Sequence, residues 1–216
     1  EAFFHTYYTA DKAVAAVVGD MQPEAVFGLV SRYFADLPAG ARSPAHVTAE
    51  PEQQGERRIF VETNAEPLMI VGFHKPTLPH DDDTVCDVIS TVLANGRSSR
   101  LYKKLVIEKR VASDVDTSNG FPGARYPNLF LITIAPAHGV SYTTVERELY
   151  RELDRLCEAE LSPAELLRAQ KQMRADLLRS MRSNEELSRM LAYYQCVAGD
   201  WRYLERNFER IGSVTV

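Results

Sequence analysis

Residues 84–105 read TVCDVISTVLANGRSSRLYKKL, and this stretch contains the pattern from which the fold is predicted. Its apolar residues recur at the three- and four-residue spacing of one helix face: Val85, Val88, Ile89 and Val92. Asn95-Gly96 is typical of a helix end, because glycine readily adopts the left-handed conformation that follows the last turn. A second helix is predicted over residues 99–109. The stretch therefore predicts two consecutive helices joined at a glycine.

Extended segments flank these two helices. Two segments before the helices have strand-like patterns of apolar residues, at residues 59–62 and 68–73. Two more follow the helices, at residues 111–116 and 129–135. The last segment places its large apolar residues on one face: Phe130, Ile132 and Ile134. Strands interrupted by helices predict an α+β fold. We expect a two-layer sandwich, with a mostly antiparallel sheet and helices packed on one face.

The C-terminal third of the chain is predicted to be helical. Residues 162–165 read SPAE, which combines a capping serine, a proline at the first helical position and a glutamate three residues after the cap. Ser183 and Glu186 have the same serine-to-glutamate spacing, and a last helix is predicted over residues 201–211. Caps at these positions indicate separate helices joined by short turns.

The N-terminal part has a different organisation. Residues 12–18 form a short apolar run that predicts a buried strand, and residues 21–37 predict a helix with one apolar stripe to bury. Residues 38–57 are interrupted by proline and glycine and contain almost no large apolar side chain. Within them, residues 43–57 are predicted to be a linker.

Composition excludes several classes of protein. The 216 residues include 25 Lys and Arg against 30 Asp and Glu, which gives a net charge of −5 and argues against a nucleic-acid-binding protein. Three cysteines lie far apart, so neither a disulfide framework nor a cysteine zinc site is expected. No apolar run reaches the roughly 18 residues of a membrane span.

Residue chemistry alone predicts no catalytic centre. The five histidines lack the spacing of four residues that places two imidazoles on one metal. Residues 81–83 are three aspartates, which we interpret as the solvated start of a helix because carboxylates there interact favourably with the helix dipole. No G-x-S-x-G motif and no phosphate-binding glycine loop is present. These observations alone favour a non-catalytic globular domain.

Three stretches nevertheless resemble one family. Residues 95–105 resemble the G-x-x-S-R-L-Y-x-x-L signature of the pitrilysin/insulinase-type zinc metallopeptidases, the inverted zincins. Residues 4–34 are similar to that family's F-x-x-x-Y … V-V-V-G-D … P-E … Y-F segment, and residues 161–166 to its L-[ST]-x-x-E-L helix start. The three stretches occur in the family's order and span nearly the whole chain.

The resemblance implies a domain organisation. In this family two homologous α+β halves face each other across a chamber. The first half binds zinc through an H-x-x-E-H motif and a distant Glu, and the second half lacks zinc. By resemblance, residues 1–42 are a remnant of the preceding homologous domain, namely its last strand–helix unit. Residues 43–57 are the linker, and residues 58–216 are the inactive C-terminal peptidase-like domain without its own last strand–helix unit.

The resemblance also bears on site residues. H-x-x-E-H is absent, and Asp87, Ser90 and Thr91 occupy the ligand-like positions. We therefore assign no zinc ligand, no catalytic residue and no cofactor to this chain, and expect zinc in the missing N-terminal half of the parent protein. The signature residues are interpreted as structural: Gly96, Ser99, Arg100, Leu101, Tyr102 and Leu105.

A supporting pair of the family is lost. Second halves that assist catalysis often carry an Arg and, seven residues later, a Tyr that hold the substrate and stabilise the developing oxyanion. The matching positions here are Val106 and Ser113, while Arg110 lies at the wrong spacing. Either the parent protein relies on a partner subunit for these donors, or it is a degenerate, non-peptidase member of the family.

The resemblance thus implies a non-catalytic domain that lines the substrate chamber of a zinc metalloendopeptidase and is inactive alone. Its expected partners are the zinc-bearing half, a peptide substrate and, if it supplies the missing donors, a further subunit. The alternative left open is a structural or binding subunit of a degenerate, non-peptidase member, like the core subunits of respiratory complexes. The bacterial periplasm and the cytoplasm are both compatible with the family.

The expected ends of the fragment lead to a packing hypothesis. A sheet without its last strand–helix unit has an unpaired edge, whereas residues 12–37 are such a unit without a sheet. We expect residues 12–37 to fill the vacancy, either within their own chain or in a second copy as a domain-swapped homodimer. The linker would be long enough for both arrangements.

Overall fold

The computed structural model describes residues 2–37, 39–40, 50–158 and 161–216. The elements in chain order are α1 (Ala2–Tyr7), a short 3-10 helix (Ala10–Lys12), α2 (Pro23–Phe34), β1 (Met69–Lys75), α3 (Asp81–Ala94), a π-helix (Tyr102–Glu108), β2 (Ala112–Phe121), β3 (Asn128–Pro136), α4 (Tyr142–Glu158), α5 (Pro163–Ser180), α6 (Asn184–Val197) and α7 (Tyr203–Ser213). Within these described ranges, every helix is too short or too polar to cross a bilayer.

The chain divides into two compact units. One comprises Glu1–Arg58 and Met181–Trp201, and the other comprises Ile59–Ser180 and Arg202–Val216. The larger unit contains the sheet, α3, α4, α5, α7 and the π-helix. The smaller unit contains the N-terminal helices and α6. The first boundary between the two units falls between residues 58 and 59, directly after the predicted linker. Of that linker, residues 43–49 lie outside the described part, and residues 50–57 form no helix or strand.

The sheet of the larger unit is antiparallel, with strand order β1-β3-β2. The central strand β3 alternates strictly between buried and partly buried residues, and the buried face includes Phe130, Ile132 and Ile134 as predicted. Across the sheet, Val71 of β1 lies opposite Ile132, and Val115 of β2 lies opposite Ile134. This period of two gives the sheet one largely apolar face.

Helices cover that apolar face, as the α+β prediction requires. Leu93 of α3, Leu101 and Leu105 at the π-helix, and Leu149 of α4 form one core with the buried side of β3. Burial of each such side chain stabilises the fold by about 1.5–3 kcal/mol. The helical stripe and the strand alternation therefore meet in a single core, which confirms the α+β class.

A second apolar cluster joins α3 to α5. Val88 and Val92 lie on the α3 face that contacts Leu166 of α5. The predicted capping box at the start of α5 is confirmed: the Ser162 hydroxyl accepts from the Glu165 amide at 3.3 Å, and the Ser162 amide donates to the Glu165 carboxylate at 3.3 Å. These reciprocal bonds fix the residue at which α5 begins.

Two predicted strands are absent, and these predictions were wrong. Residues 13–18 and 59–62 form no strand, and Ile59 is 84% exposed. An apolar run gains backbone hydrogen bonds as a strand only when a neighbouring strand offers them. Among the described residues the sheet has three strands, and neither run pairs with an edge. Composition predicted that these two runs are extended, but not whether a neighbouring strand would pair with them.

Helix α2 is confirmed, but its apolar stripe is not covered. None of the described α2 residues is buried, and Phe27 is 71% exposed. Pairing of residues 12–18 within their own chain, one form of the packing hypothesis, does not occur in the described sheet. The domain-swapped homodimer through residues 12–37 stays a prediction, and so does the assignment of residues 1–42 to a preceding domain.

Candidate functional site

A polar cleft of about 490 Å³ lies beside β2 in the larger unit. Its walls come from the C-terminal end of α3, the turn after it, the π-helix and the middle of β2. The polar residues that line it are Ser90, Asn95, Arg97, Tyr102, Asp114, Asp116 and Thr117. Because β2 pairs only with β3, one edge of this strand is unpaired within the described sheet. The cleft is thus a concave polar surface next to a free strand edge.

Helix α3 places the three ligand-like positions on the side that faces β2. The Asp87 carboxylate accepts from the Asn119 amide at 2.7 Å, and the hydroxyls of Ser90 and Thr117 are 2.8 Å apart. The Thr91 hydroxyl donates to the backbone carbonyl of Asp87 at 3.0 Å. All three side chains therefore form internal hydrogen bonds.

These residues do not fit a zinc ion. Zinc in peptidases is held by imidazole and carboxylate ligands that are free to coordinate, whereas this set has no imidazole and its one carboxylate is bonded to Asn119. Within the residues that the structure describes, no cluster of three or more His, Cys, Asp or Glu could hold a metal ion.

A buried ion pair lies next to Asp87. The Lys75 ammonium at the end of β1 contacts the Asp83 carboxylate, and their side chains are only 2% and 8% exposed. The Asn119 amide also donates to the Asp83 backbone carbonyl at 3.1 Å. Lys75, Asp83, Asp87 and Asn119 therefore form one polar cluster between β1, α3 and β2.

Sequence reasoning missed this cluster. The interpretation of residues 81–83 as a solvated helix start is right for Asp81 and Asp82, which are exposed, and wrong for Asp83. Asp83 points toward β1, where Lys75 lies on the same strand face as Val71, which packs against the core. The available signal was a lysine at an inward-facing strand position, which requires a nearby carboxylate.

The environment of Asp87 changes its acidity. Burial raises the pKa of Asp87 from the usual 3.8 to about 6; the hydrogen bond from Asn119 and the charge of Lys75 oppose the rise, and the charge of Asp83 adds to it. The folded protein therefore holds a proton on Asp87 between about pH 4 and 6 that the unfolded chain releases. Stability consequently falls as the pH rises through this window.

Replacement of Asp87 by Asn should therefore stabilise the protein at neutral pH. Asn cannot ionise but still accepts from Asn119, so we expect a gain of roughly 2–3 kcal/mol at pH 7.5 that disappears below pH 4. Urea unfolding followed by circular dichroism at several pH values measures this difference. The matched control is Asp82→Asn, an exposed neighbour, for which a change below about 0.5 kcal/mol is expected. A gain independent of pH would contradict the assignment.

The signature residues make contacts inside the domain. Gly96 has a φ of 82°, which residues other than glycine rarely adopt, and its carbonyl accepts from the Ser99 hydroxyl at 2.7 Å.

Arg100 donates twice to Glu165 of α5, at 3.0 and 3.1 Å, while Leu101 and Leu105 are fully buried. The Arg100 guanidinium, followed by the Ser162 hydroxyl, lowers the pKa of Glu165 to about 2. Tyr102 packs against the core. These contacts support the prediction that the signature is structural.

The two positions at which the family's pair is predicted to be lost lie away from the cleft. Val106 is partly buried against the core, and the exposed Ser113 donates its hydroxyl to the Ala135 carbonyl at 3.2 Å. Neither residue lines the described cleft. A valine offers no hydrogen-bond donor, and the serine hydroxyl is directed back to β3.

Comparison with known proteins agrees with this geometry. The sequence model of the family described as "Peptidase M16 inactive domain" matches residues 1–173, and the chain belongs to that family. The pitrilysin-like resemblance, the α+β fold and the absence of H-x-x-E-H are thus consistent with one another. The chain is the inactive C-terminal type of domain of a zinc protease-like protein.

Individual relatives support the same assignment. The chain is 28% identical over 196 residues to the protein named zinc protease PqqE of Helicobacter pylori, covering 88% of this chain and 44% of that protein. A crystal structure of a protease from Helicobacter pylori matches 92% of this chain and 48% of its own, with a TM-score of 0.84 at 25% identity. A peptidase M16 inactive domain from Pseudomonas fluorescens shares the fold, with a TM-score of 0.66 at 17% identity over 92% of this chain and 46% of its own. The chain spans about half the length of these relatives.

Proposed function

We propose that this chain lines the substrate chamber of a zinc metalloendopeptidase and performs no chemistry itself. The observation that carries the proposal is the state of α3 beside the cleft. Its ligand-like positions hold Asp87, Ser90 and Thr91, all in internal hydrogen bonds, while the cleft next to them is open and polar. A surface of this kind can contact a peptide but provides no ligand set for a metal, no activated nucleophile and no pair of donors for an oxyanion.

The catalytic metal would then come from a homologous half that this sequence does not contain. One relative about twice as long is named a zinc protease, and a second of similar length is named a protease, which supports a parent protein with two halves. The same names favour the peptidase setting over the alternative of a respiratory-complex-like scaffold. In the proposed assembly, the zinc-bearing half supplies the activated water. This chain forms the opposite wall of the chamber and excludes bulk solvent.

Peptide hydrolysis tests the proposal. We expect the pure chain with added zinc to leave a fluorogenic peptide substrate uncleaved, because it has no ligand set for the metal. Mixing it with a separately purified zinc-bearing half should give zinc-dependent cleavage at least tenfold faster than that half alone.

Two controls make the result decisive. Cleavage by the mixture should stop with a chelator and return with zinc, and an unrelated protein of similar charge should give no increase. Chelator-sensitive cleavage by the pure chain would contradict the claim of inactivity. A mixture no faster than the zinc-bearing half would contradict the chamber-lining role.

A further inference from the structure

Opposite charges line the cleft without pairing with each other. Arg97 comes from the turn after α3, and Asp114 and Asp116 come from β2. All three residues are exposed, and among the described residues none of them takes part in an ion pair. The cleft therefore presents an unpaired cation and two unpaired carboxylates to the same volume.

No neighbouring group neutralises the two aspartates. They lie two residues apart and so share one face of the strand. Their partners on β3 are Ala135 and Thr133, which carry no charge. The Tyr102 hydroxyl belongs to the same cleft and makes no hydrogen bond to a described residue. A guanidinium, a phenol and a pair of carboxylates are thus open to a ligand.

The size and the charges of the cleft define a class of ligand. Its volume of about 490 Å³ lies in the range of small-molecule pockets, about 300–1,000 Å³. A guanidinium binds a carboxylate through two parallel hydrogen bonds, and carboxylates accept hydrogen bonds from an ammonium group. A ligand with a carboxylate at one end and an ammonium at the other would satisfy both charges at once. Short free peptides have this structure, because both of their termini are charged.

We infer that the cleft binds short free peptides by their charged termini, with Arg97 and Tyr102 holding the carboxylate and Asp114 and Asp116 holding the ammonium. The choice of a peptide among zwitterions rests on the proposed function, because hydrolysis in the chamber would release such peptides. The site would then retain cleavage products whatever their side chains. A competing explanation is that Arg97 only offsets the dipole at the C-terminal end of α3, and that the aspartates only protect the edge of β2.

Titration calorimetry on the 216-residue chain tests the inference without any catalysis. The probes are four forms of trialanine: unblocked, N-acetylated, C-amidated and blocked at both ends. We expect the unblocked form to bind at least tenfold more tightly than either singly blocked form at 20 mM salt. This ratio should shrink at 500 mM salt, because exposed charges are screened. Equal binding of the four forms, or no binding of any, would overturn the inference.

The length of the peptide gives a second readout. Arg97 and the two aspartates lie on different elements, so one separation between the peptide's termini should fit best. Among unblocked alanine peptides of two to six residues, we expect affinity to reach a maximum at one length and to fall for the hexapeptide. Affinity that rises steadily with length would indicate binding along the backbone and would contradict recognition of the termini.

Variants at the cationic end test the contact with the carboxylate. Arg97→Gln should weaken binding of trialanine at least tenfold and remove the preference for a free over an amidated C-terminus. Tyr102→Phe should weaken binding less, because the guanidinium remains. Arg147→Gln, which changes an exposed arginine on α4, should keep the preference. Thermal unfolding verifies that each variant folds.

Variants at the acidic end test the contact with the ammonium. The double variant Asp114→Asn/Asp116→Asn should remove the preference for a free over an acetylated N-terminus and keep the preference at the C-terminus. Asp154→Asn/Glu158→Gln, an equal charge change at exposed positions of α4, should alter neither preference. A folded Arg97→Gln or double aspartate variant that kept its preference would leave the competing explanation for that end of the cleft.

The two proposals fail separately. Loss of cleavage in the mixture of halves, with binding of trialanine intact here, would contradict the chamber-lining role alone. Cleavage by the mixture without any preference of this chain for unblocked peptides would contradict the terminus-binding site alone.

Discussion

Replacement of Lys75 by Met should lower the free energy of unfolding by about 3–5 kcal/mol at pH 7. The Lys75 side chain is 2% exposed and contacts Asp83, which is buried as well. Methionine has a similar length and packs in the same space, so the expected loss of stability comes from removal of the positive charge. Asp83 would then remain buried beside Asp87 without its cation. Urea unfolding of the 216-residue chain measures the loss.

Two further variants make this result specific. Lys171→Met changes an exposed lysine on α5 and should alter stability by less than about 0.5 kcal/mol. The double variant Lys75→Met/Asp83→Asn removes both charges and should recover at least half of the loss, because an uncompensated buried carboxylate no longer remains. A double variant as unstable as Lys75→Met would show that packing, and not charge, explains the effect.

Replacement of Leu101 by Ala should cost about 3–5 kcal/mol, since the side chain is fully buried and its removal leaves a cavity. Leu101 lies within the family signature, at the start of the π-helix, and packs in the core that joins the sheet to α3 and α4. A loss of this size would support the structural role of the signature. Chemical unfolding and the melting temperature are the measurements.

The matched control for this cavity is Leu167→Ala on α5. Leu167 is 50% exposed, so the same chemical change there should cost less than about 1 kcal/mol. Comparable losses for the two variants would mean that Leu101 is not a core residue. Near-native stability of Leu101→Ala, together with loss of peptide binding, would instead assign the signature a direct role in binding.

Local sequence signals predicted the helices well. The stripe in residues 84–94 indicated a helix, and the structure has α3 over Asp81–Ala94. The capping signals at Ser162 and Ser183 predicted the starts of α5 and α6, because a cap depends on side chains and amides only three residues apart. The alternation in residues 129–135 predicted the inward face of β3 for the same reason, since strand geometry fixes which side chains share a face.

Strand pairing was predicted less well. Residues 12–18 and 59–62 have the composition of strands, yet the structure gives them no partner. Strand β2 extends to Phe121, beyond the predicted residue 116, because pairing with β3 continues through polar residues up to Asn119. Whether an extended run becomes a strand depends on a second segment far away in sequence. Composition does not contain that information.

The candidate site shows the same division. The sequence by itself determined that the ligand-like positions hold no imidazole, so no packing could create a zinc centre there. That Val106 and Ser113 stand where the family has its Arg and Tyr stays a prediction from the resemblance. Only the tertiary structure decided what replaced that chemistry. It buried Asp83 against Lys75, raised the pKa of Asp87, and left the acidic edge of β2 open beside a cleft. Residue types set the available reactions, whereas burial and the distances between groups arise only when β1, α3 and β2 pack together.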